Sequence, residues 1–343
     1  MTDQATTEAE TASQKTPLGM LRAVFIRLGV LPFFLLGALL IFSGVSDRFL
    51  TVDNLTNVFR QSVYLILVSL GQMLVLITGG FDLSVGAVVA LTSVVSAMGM
   101  VAAAAIFPDA VWLAIALGAL GGLAAAAVVG LVNGVGVSVF GVSPFIMTLG
   151  VSSVAAGISL FLTGGVPVSG IPYEFGNFFG FGRVWGVPVP VLVAILTIAI
   201  MWVFMARMRT GAHIYAVGGN PKAALLSAIN TRRTLIVAYG ICALIASLTG
   251  LLLTARVESG EANLGGTIAL ESIAACVIAG VSLRGGIGRV ENVVLGAFFI
   301  VLAQNGMNLA QVSSYMQMVL LGGLLILAVV FDQIRYRMMM GRA

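Results

Sequence analysis

Apolar runs long enough to cross a lipid bilayer recur along this sequence, and most of them carry no charge. About 20 apolar residues in a helix span the hydrocarbon core, where a helix satisfies its own backbone hydrogen bonds. Of 343 residues, 59% are hydrophobic and 9% charged, whereas a soluble domain carries about 25% charged residues. A membrane β-barrel would instead show short alternating segments. The expected fold is all-α: a polytopic transmembrane helical bundle of about ten spans, with signs of a two-half repeat.

The spans are predicted near 28–46, 55–77, 83–105, 110–132, 143–163, 187–206, 234–255, 262–283, 290–306 and 315–331. The charge-free stretch from Ala110 to Tyr173 is too long for one crossing, and Asn133-Gly134 and Ser143-Pro144 supply the break. Cytoplasmic loops concentrate Lys and Arg, which tests the count. Lys15, Arg22, Arg27, Arg207, Arg209, Lys222, Arg232, Arg233, Arg284, Arg289, Arg335, Arg337 and Arg342 all fall on one face. Only Arg48, Arg60, Arg183 and Arg256 fall on or near the other. That asymmetry places both termini in the cytoplasm. Trp112, Trp185 and Trp202 lie near span ends, where indoles favour the headgroup region. The organisation expected is a disordered cytoplasmic tail over 1–19, a membrane domain over 20–337 with a water-facing segment at 208–233, and a cytoplasmic tail over 338–343.

Several functions lose support. The polar N-terminus does not begin basic and turn apolar, so it is not read as a signal peptide. The net charge of +4 does not point to nucleic acid, because the cations sit in loops of one side. Cys242 and Cys276 both lie in apolar runs and read as buried small hydrophobes. With one histidine and no Cys/His cluster, neither a metal site nor a cofactor is expected. Glycine, at 42 residues, is well above the usual share of about 7%. Small residues let helices approach closely in lipid, which accounts for most of these glycines.

The segment Tyr215-Ala-Val-Gly-Gly-Asn-Pro-Lys-Ala-Ala-Leu-Leu-Ser-Ala-Ile-Asn230 stands out as polar and basic-flanked in a greasy chain. Arg207 and Arg209 end the preceding span, Gly211 breaks it, and Gly218-Gly219 allow a tight turn. Asn220 suits an N-cap and Pro221 the first helical position. A short helix is then expected over Lys222 to Ile229, carrying small Ala223 and Ala224, with Ser227 near its end and Asn230 starting the next span. Such a helix either docks in a cleft on a partner or simply connects two spans.

Other polar residues lie among the spans. In Thr78-Gly-Gly-Phe-Asp82-Leu-Ser84 an aspartate sits between two apolar runs, where lipid exposure is costly. Asp82 or Ser84 caps the next helix, organises the fold or dimer, or lines a translocation route. Glu271 either faces a polar cavity, pairs with an arginine or sits at the interface. Arg284, Arg289 and Glu291 are expected in a charged cytoplasmic turn. Gln304, Asn305 and Asn308 suit a neutral hydroxylated solute, since amides donate and accept; interhelical glue is their commoner use. Gly164 to Gly186 forms the longest external loop, aromatic and proline-stiffened. It either covers the outer mouth, receives a partner, or packs at the interface. Ile77-Thr-Gly-Gly-Phe-Asp-Leu-Ser-Val-Gly86 is also similar to Ile278-Ala-Gly-Val-Ser-Leu-Arg-Gly-Gly-Ile-Gly288, a pairing that either marks repeated halves or arises by chance between Gly-rich strings.

Six blocks together carry a family resemblance. Ala216-Val-Gly-Gly-Asn-Pro-Lys-Ala-Ala224 with Ser227-Ala-Ile-Asn230 resembles the cytoplasmic coupling segment of ribose-type sugar permeases of bacterial ABC importers. Thr78-Gly-Gly-Phe-Asp-Leu-Ser-Val-Gly86, Ser143-Pro-Phe-Ile-Met-Thr-Leu-Gly150 and Leu251-Leu-Leu-Thr-Ala-Arg256 resemble further family blocks. So do Glu271-Ser-Ile-Ala-Ala-Cys-Val-Ile-Ala-Gly280 and Ser313-Ser-Tyr-Met-Gln317, and all keep their order over residues 50–335. Phe81 stands where the family often has isoleucine, Ala228 where it often has glycine, and Val281 interrupts a usual Gly-Gly pair; the last two put their local turns in doubt.

The resemblance implies a homodimeric permease of the inner membrane, with an ABC ATPase subunit on its cytoplasmic face and a periplasmic solute-binding protein on the other. It implies a monosaccharide or related polyol as substrate, and ATPase coupling through Gly218, Gly219, Asn220, Pro221, Lys222, Ala223, Ala224, Ser227 and Asn230. Asp82, Ser84, Glu271, Gln304, Asn305 and Asn308 remain candidates for the translocation path or for organising the fold. The chain holds no Walker Gly-x-x-x-x-Gly-Lys-Ser/Thr string, so ATP hydrolysis falls to the partner. Alternatives are a nucleoside or branched-chain amino-acid permease of the same architecture, a stand-alone secondary transporter, and a membrane enzyme. The last has no nucleophile–base pair or metal motif at membrane depth.

Overall fold

A computed structural model describes residues 31–339; the tail over 1–19, the start of the first span and residues 340–343 lie outside the described residues. The chain is a helical bundle. Its helices are α1 (Leu31–Val45), α2 (Val52–Ile77), α3 (Val85–Ile106), α4 (Val111–Ser138), α5 (Pro144–Thr163) and α6 (Val189–Arg207). There follow α7 (Arg209–Gly219), α8 (Pro221–Leu226), α9 (Thr231–Val257), α10 (Ile268–Ile278), α11 (Val290–Leu309) and α12 (Ser314–Met339). Eight of these, α2 to α6, α9, α11 and α12, are long and apolar enough to cross a membrane, while α1 and α10 are shorter apolar helices. The ten-span expectation therefore has eight full-length counterparts and two shorter ones.

The core forms around α2, whose residues from Ser62 to Ile77 are all buried. It packs against α6, α9, α10 and α11. The periphery is formed by α5 and α12, which stay largely exposed. Between α3 and its neighbours the helices approach at glycines and bond through hydroxyls. A Cβ on Gly99 would come within 3.0 Å of Gly118 Cα. Thr92 Oγ1 donates to Ser247 Oγ at 3.0 Å, and Thr254 Oγ1 to Ser93 Oγ at 2.6 Å. Such pairs supply the interhelical attraction that lipid withholds.

Asn133-Gly134 does not break the chain, contrary to expectation. Both lie inside α4, which runs on to Ser138. Gly134 meets the backbone of Ile236 on α9, where an added Cβ would approach Ile236 Cα to 2.7 Å, and Asn133 is fully buried. A packed glycine in a bundle costs its helix little, because the close contact offsets the propensity loss. The chain turns only at 139–143, and Pro144 begins α5.

The two similar strings adopt the same backbone turn. After α2, Gly79 (φ +83°) donates its N–H to Leu76 O at 2.9 Å and Gly80 to Val75 O at 3.0 Å. After α10, Gly280 (φ +81°) donates to Val277 O at 2.9 Å and Val281 to Cys276 O at 2.9 Å. Both are Schellman caps with a left-handed glycine. Val281, placed where a second glycine was expected, leaves that turn unchanged. The halves differ upstream: α2 is a continuous 26-residue helix, and α10 has 11 residues.

The Gly164–Gly186 loop folds onto the far end of α9. It contains a helical turn at Tyr173–Phe175 and a π-turn at Gly176–Gly180, and it ends in a hairpin whose strands are β1 (Arg183–Val184) and, just past the loop, β2 (Val187–Pro188). Val168 pairs with Gly260 beyond α9. At the other end of the bundle, Gly286 N–H donates to Ile77 O at 2.8 Å. The turns at 78–80 and 282–288 and the segment 208–230 thus share one end, in agreement with the loop assignment made from charge.

Candidate coupling segment and polar residues of the bundle

The segment after α6 is two helices set at a bend. The break falls at Met208, whose extended backbone (φ −92°, ψ 146°) separates α6 from α7. Gly211 does not break the chain; it sits inside α7, pressed on the backbone of Phe204 and Met205. Gly218 and Gly219 likewise do not form a turn, and end α7 as helix. The reason at Gly218 is space: an added Cβ would collide with Ile77 O and lie 2.7 Å from Gly286 N, whereas one on Gly219 would meet nothing within 4 Å.

Asn220 then caps α8. Its Oδ1 accepts from Ala223 N at 3.0 Å, with Pro221 at the first helical position. The helix covers Pro221–Leu226, shorter than the Lys222–Ile229 expected. It stops in a Schellman cap: Ile229 N–H donates to Ala224 O at 3.0 Å and Ala228 N–H to Leu225 O at 3.0 Å. The left-handed residue is Ala228 (φ +61°), at the position where the family often has glycine. Ser227 lies exposed in this turn. Asn230 caps α9 by accepting from Arg233 N at 2.9 Å.

On α8, Ala224 is buried against the protein while Lys222, Ala223, Leu225 and Leu226 face outward. Leu226 is 90% exposed and Leu225 63%. Two leucines presented on a capped helix form an apolar knob. Sequence reasoning had singled out the alanines and passed over these leucines, whose exposure depends on which face of α8 is seated.

Behind the knob, Tyr215 Oη donates to Gly288 O at 2.8 Å. Burial pushes the Tyr215 phenol up, and the negative charge of Glu291 adds to this against the opposing effect of Arg289. The phenol therefore keeps its proton and remains a donor. Glu291 accepts from Trp202 Nε1 at 2.7 Å, and Arg284 Nη2 donates to Gln333 Oε1 at 3.2 Å.

Asp82 joins four helices. It is 1% exposed, on a segment that climbs from the Gly79 turn back into the bundle before α3 begins. Its Oδ1 accepts from Ser84 N at 2.8 Å and from Ser84 Oγ at 2.6 Å. Ser84, buried in turn, accepts from Asn133 Nδ2 of α4 at 2.8 Å. The Gln72 amide of α2, oriented as its partners dictate, donates to Asp82 O at 3.0 Å and accepts from Asp82 N at 3.3 Å. Tyr239 of α9 donates to Phe81 O at 3.2 Å. Asp82 Oδ2 is buried without a hydrogen-bond partner. Ser84 occupies the cap position of α3 without a side-chain cap bond; Asp82 instead closes the turn ahead of it. Asn133 lies five residues inside the end of α4, so the cluster sits roughly 8 Å within the bundle. Gln72 was not singled out and Asn133 was read only as part of a chain break, although each is an amide inside an apolar run.

The remaining candidates are dispersed. Gln304 Nε2 donates to Glu271 Oε1 of α10 at 3.2 Å, so the partner of Glu271 is an amide rather than an arginine. Asn305 and Asn54 of α2 exchange two bonds, at 2.8 and 2.9 Å. Asn308 Oδ1 accepts from Gln317 Nε2 of α12 at 2.8 Å. The three amides of α11 thus bind three different helices. Cys242 and Cys276 are free and buried.

Residues 54–329 match the family described as branched-chain amino acid transport system / permease component. The chain belongs to this permease family. It is 37% identical to the D-allose transport system permease protein of Escherichia coli K12, over 88% of this chain and 90% of the relative. It is 38% identical to the ribose import permease of the same strain (87% and 91%). It is 36% identical to the galactose/methyl galactoside import permease of Salmonella typhimurium (87% and 91%). No solved structure matches the chain. The matched span of the permease takes in α2 through most of α12, and with them the capped α8 knob and the Asp82 junction.

Proposed function

We propose that this permease is the membrane-spanning subunit of an ATP-binding cassette importer for a monosaccharide or related polyol. The observation that carries the reading is the α8 knob. A six-residue helix is capped at both ends, carries Leu225 and Leu226 in the open, and stands on the same end of the bundle as the basic loops. An apolar, well-exposed helix end is a docking element for a protein partner. The partner here is an ATPase subunit on the cytoplasmic side, and the working assembly is a homodimer of this chain with two ATPase sites. A periplasmic binding protein delivers the solute at the end formed by 164–186 and 258–267. Both termini lie in the cytoplasm.

In this reading, ATP-driven closure of the partner displaces the Asn220–Asn230 segment and switches the path between outward and inward access. The sugar reading rests on the relatives named for allose, ribose and galactose. A branched-chain amino-acid substrate is the second reading, favoured by the family's own description. Reconstitution with the cognate ATPase and binding protein decides between them. ATP-dependent uptake of labelled ribose, allose or galactose is expected. Uptake of leucine in place of sugar overturns the substrate, and flux through the permease alone, without ATP, overturns the importer.

A further inference from the structure

Three stretches of backbone from distant parts of the chain meet without intervening side chains. The first is the turn after α2, at Ile77 to Gly79. The second is the last turn of α7, at Gly218. The third is the loop between α10 and α11, at Gly285 and Gly286. Gly286 N–H donates to Ile77 O. A Cβ on Gly285 would lie 2.7 Å from Gly218 O, 2.9 Å from Ile77 O and 3.0 Å from Gly79 N, and one on Gly286 would lie 2.9 Å from Gly219 Cα. Gly285 and Gly286 also hold left-handed backbone, at φ +87° and +76°. One turn above, the Tyr215–Gly288 hydrogen bond ties α7 to the same loop.

A joint of this kind has a mechanical property that a side-chain interface lacks. Side chains absorb small displacements by changing rotamer; backbone seated on backbone has no such slack, and packed interiors transmit strain. The three stretches lead to different places. The Ile77 turn continues into the Asp82 segment and α3, and the 282–288 loop connects α10 to α11. The first contains the Gly79 turn, and the third follows directly on the corresponding turn at Gly280. The α7 end leads within two residues to the α8 knob.

We infer that Tyr215 and the Gly218–Gly285–Gly286 seat form a rigid joint that carries displacement of the α8 knob at once into the Gly79 turn and into the 282–288 loop that follows the Gly280 turn. Tyr215 is a positioning residue, holding α7 on the loop while the glycines set the contact. This rests on the docking role given to α8 above, and the experiment is arranged to separate the two.

The test uses the full chain assembled with its ATPase and binding protein in proteoliposomes. Tyr215→Phe removes one hydrogen bond and little volume. The loss of one such bond biases a two-state linkage by roughly threefold to tenfold, so ATP consumed per sugar imported rises by about that factor. ATPase binding stays at the wild-type level. Leu226→Asp, at the knob itself, loses ATPase binding. An unchanged ATP-to-sugar ratio in Tyr215→Phe overturns the joint and leaves the docking reading standing; loss of ATP-dependent uptake in the wild type overturns that reading instead. A second measurement needs no change at Tyr215. Spin labels on exposed Lys222→Cys and Ile287→Cys keep a constant separation through the ATP cycle if the joint moves as one body, and a change in that separation overturns it.

Discussion

Ala228 holds the left-handed position of a Schellman cap, the position that Gly79 and Gly280 occupy in theirs. At φ +61° its Cβ crowds the neighbouring carbonyl, at a cost of about 1–2 kcal/mol for an L-residue. Glycine relieves that strain but brings a more flexible unfolded chain, a cost of about 0.4–1 kcal/mol. The net gain expected from Ala228→Gly is about 1 kcal/mol, concentrated in the last turn of α8. The cap contains two bonds that report it, Ile229 N–H to Ala224 O and Ala228 N–H to Leu225 O. Amide exchange in this turn proceeds by local opening, because Ser227 and Ala228 are exposed. A gain of about 1 kcal/mol slows exchange at the amides of 227–229 roughly fivefold, read by hydrogen–deuterium exchange of the purified protein. Gly79 supplies the mirror experiment. It occupies the same cap at φ +83°, and an added Cβ would approach nothing nearer than Arg284 O at 3.6 Å. Gly79→Ala should therefore cost about 1 kcal/mol through backbone strain alone. Unchanged or faster exchange at 227–229 in Ala228→Gly would refute the strain assigned to this turn.

Adjacent glycines should respond oppositely: Gly218→Ala meets Ile77 O and lowers thermal stability by several kcal/mol, whereas Gly219→Ala, with free space around it, is neutral or raises stability by up to about 1 kcal/mol. Melting curves in detergent check the pair, and equal effects would contradict the seat. A double-mutant cycle of Asn54→Ala and Asn305→Ala should return a coupling energy of about 0.6–1.7 kcal/mol; transport lost at unchanged stability would instead mark them as solute contacts. The Tyr215 phenol, held above its usual range by burial and Glu291, binds its proton more tightly in the folded state. Its stabilising bond is fully present below the ordinary tyrosine value near 10 and disappears only as pH rises through the higher folded value. The ATP-to-sugar ratio should therefore show no Tyr215-dependent change between about pH 7 and about pH 9; an inflection in that range, absent from Tyr215→Phe, would contradict this.

The bundle, and the gathering of the basic loops at one end of it, were legible because they rest on one-dimensional signals, the length of apolar runs and the distribution of cations. The caps were legible for a related reason: Asn220 with Pro221, and Asn230, form bonds within three residues of themselves. The glycines were misread for the opposite reason. Gly218-Gly219 has the composition of a turn, yet the first glycine answers to Ile77, more than 100 residues away, and the turn falls at Asn220 instead. Asn133-Gly134 misled in the same way, its demands coming from Ser84 and Ile236. Glycine in a helical membrane protein signals either backbone freedom or close approach, and only the neighbour tells which. The amides of α11 were visible as a group, but their pairing with three separate helices depends on rotation about the helix axis, which one sequence does not encode.

The similar turns after α2 and α10 show how such neighbours steer a repeated element apart. Both place a left-handed glycine at the same point and bond their carbonyls in the same pattern. They diverge at the next residue, Gly80 against Val281. A Cβ on Gly80 would lie 2.6 Å from Tyr239 Oη, the hydroxyl that donates to Phe81 O. Val281 is fully buried, its side chain filling space beside Gly288. Tyr239 thus accounts for glycine in the first turn, with the cap identical in both. The consequence is a division of labour. The first turn is pinned through Tyr239 and the Asp82 cluster to α2, α3, α4 and α9, while the second sits in apolar packing, with the joint to α7 in the loop that follows it. A push arriving at Gly218 therefore reaches a turn anchored by polar bonds on one side and, on the other, the loop that follows a turn seated in apolar packing.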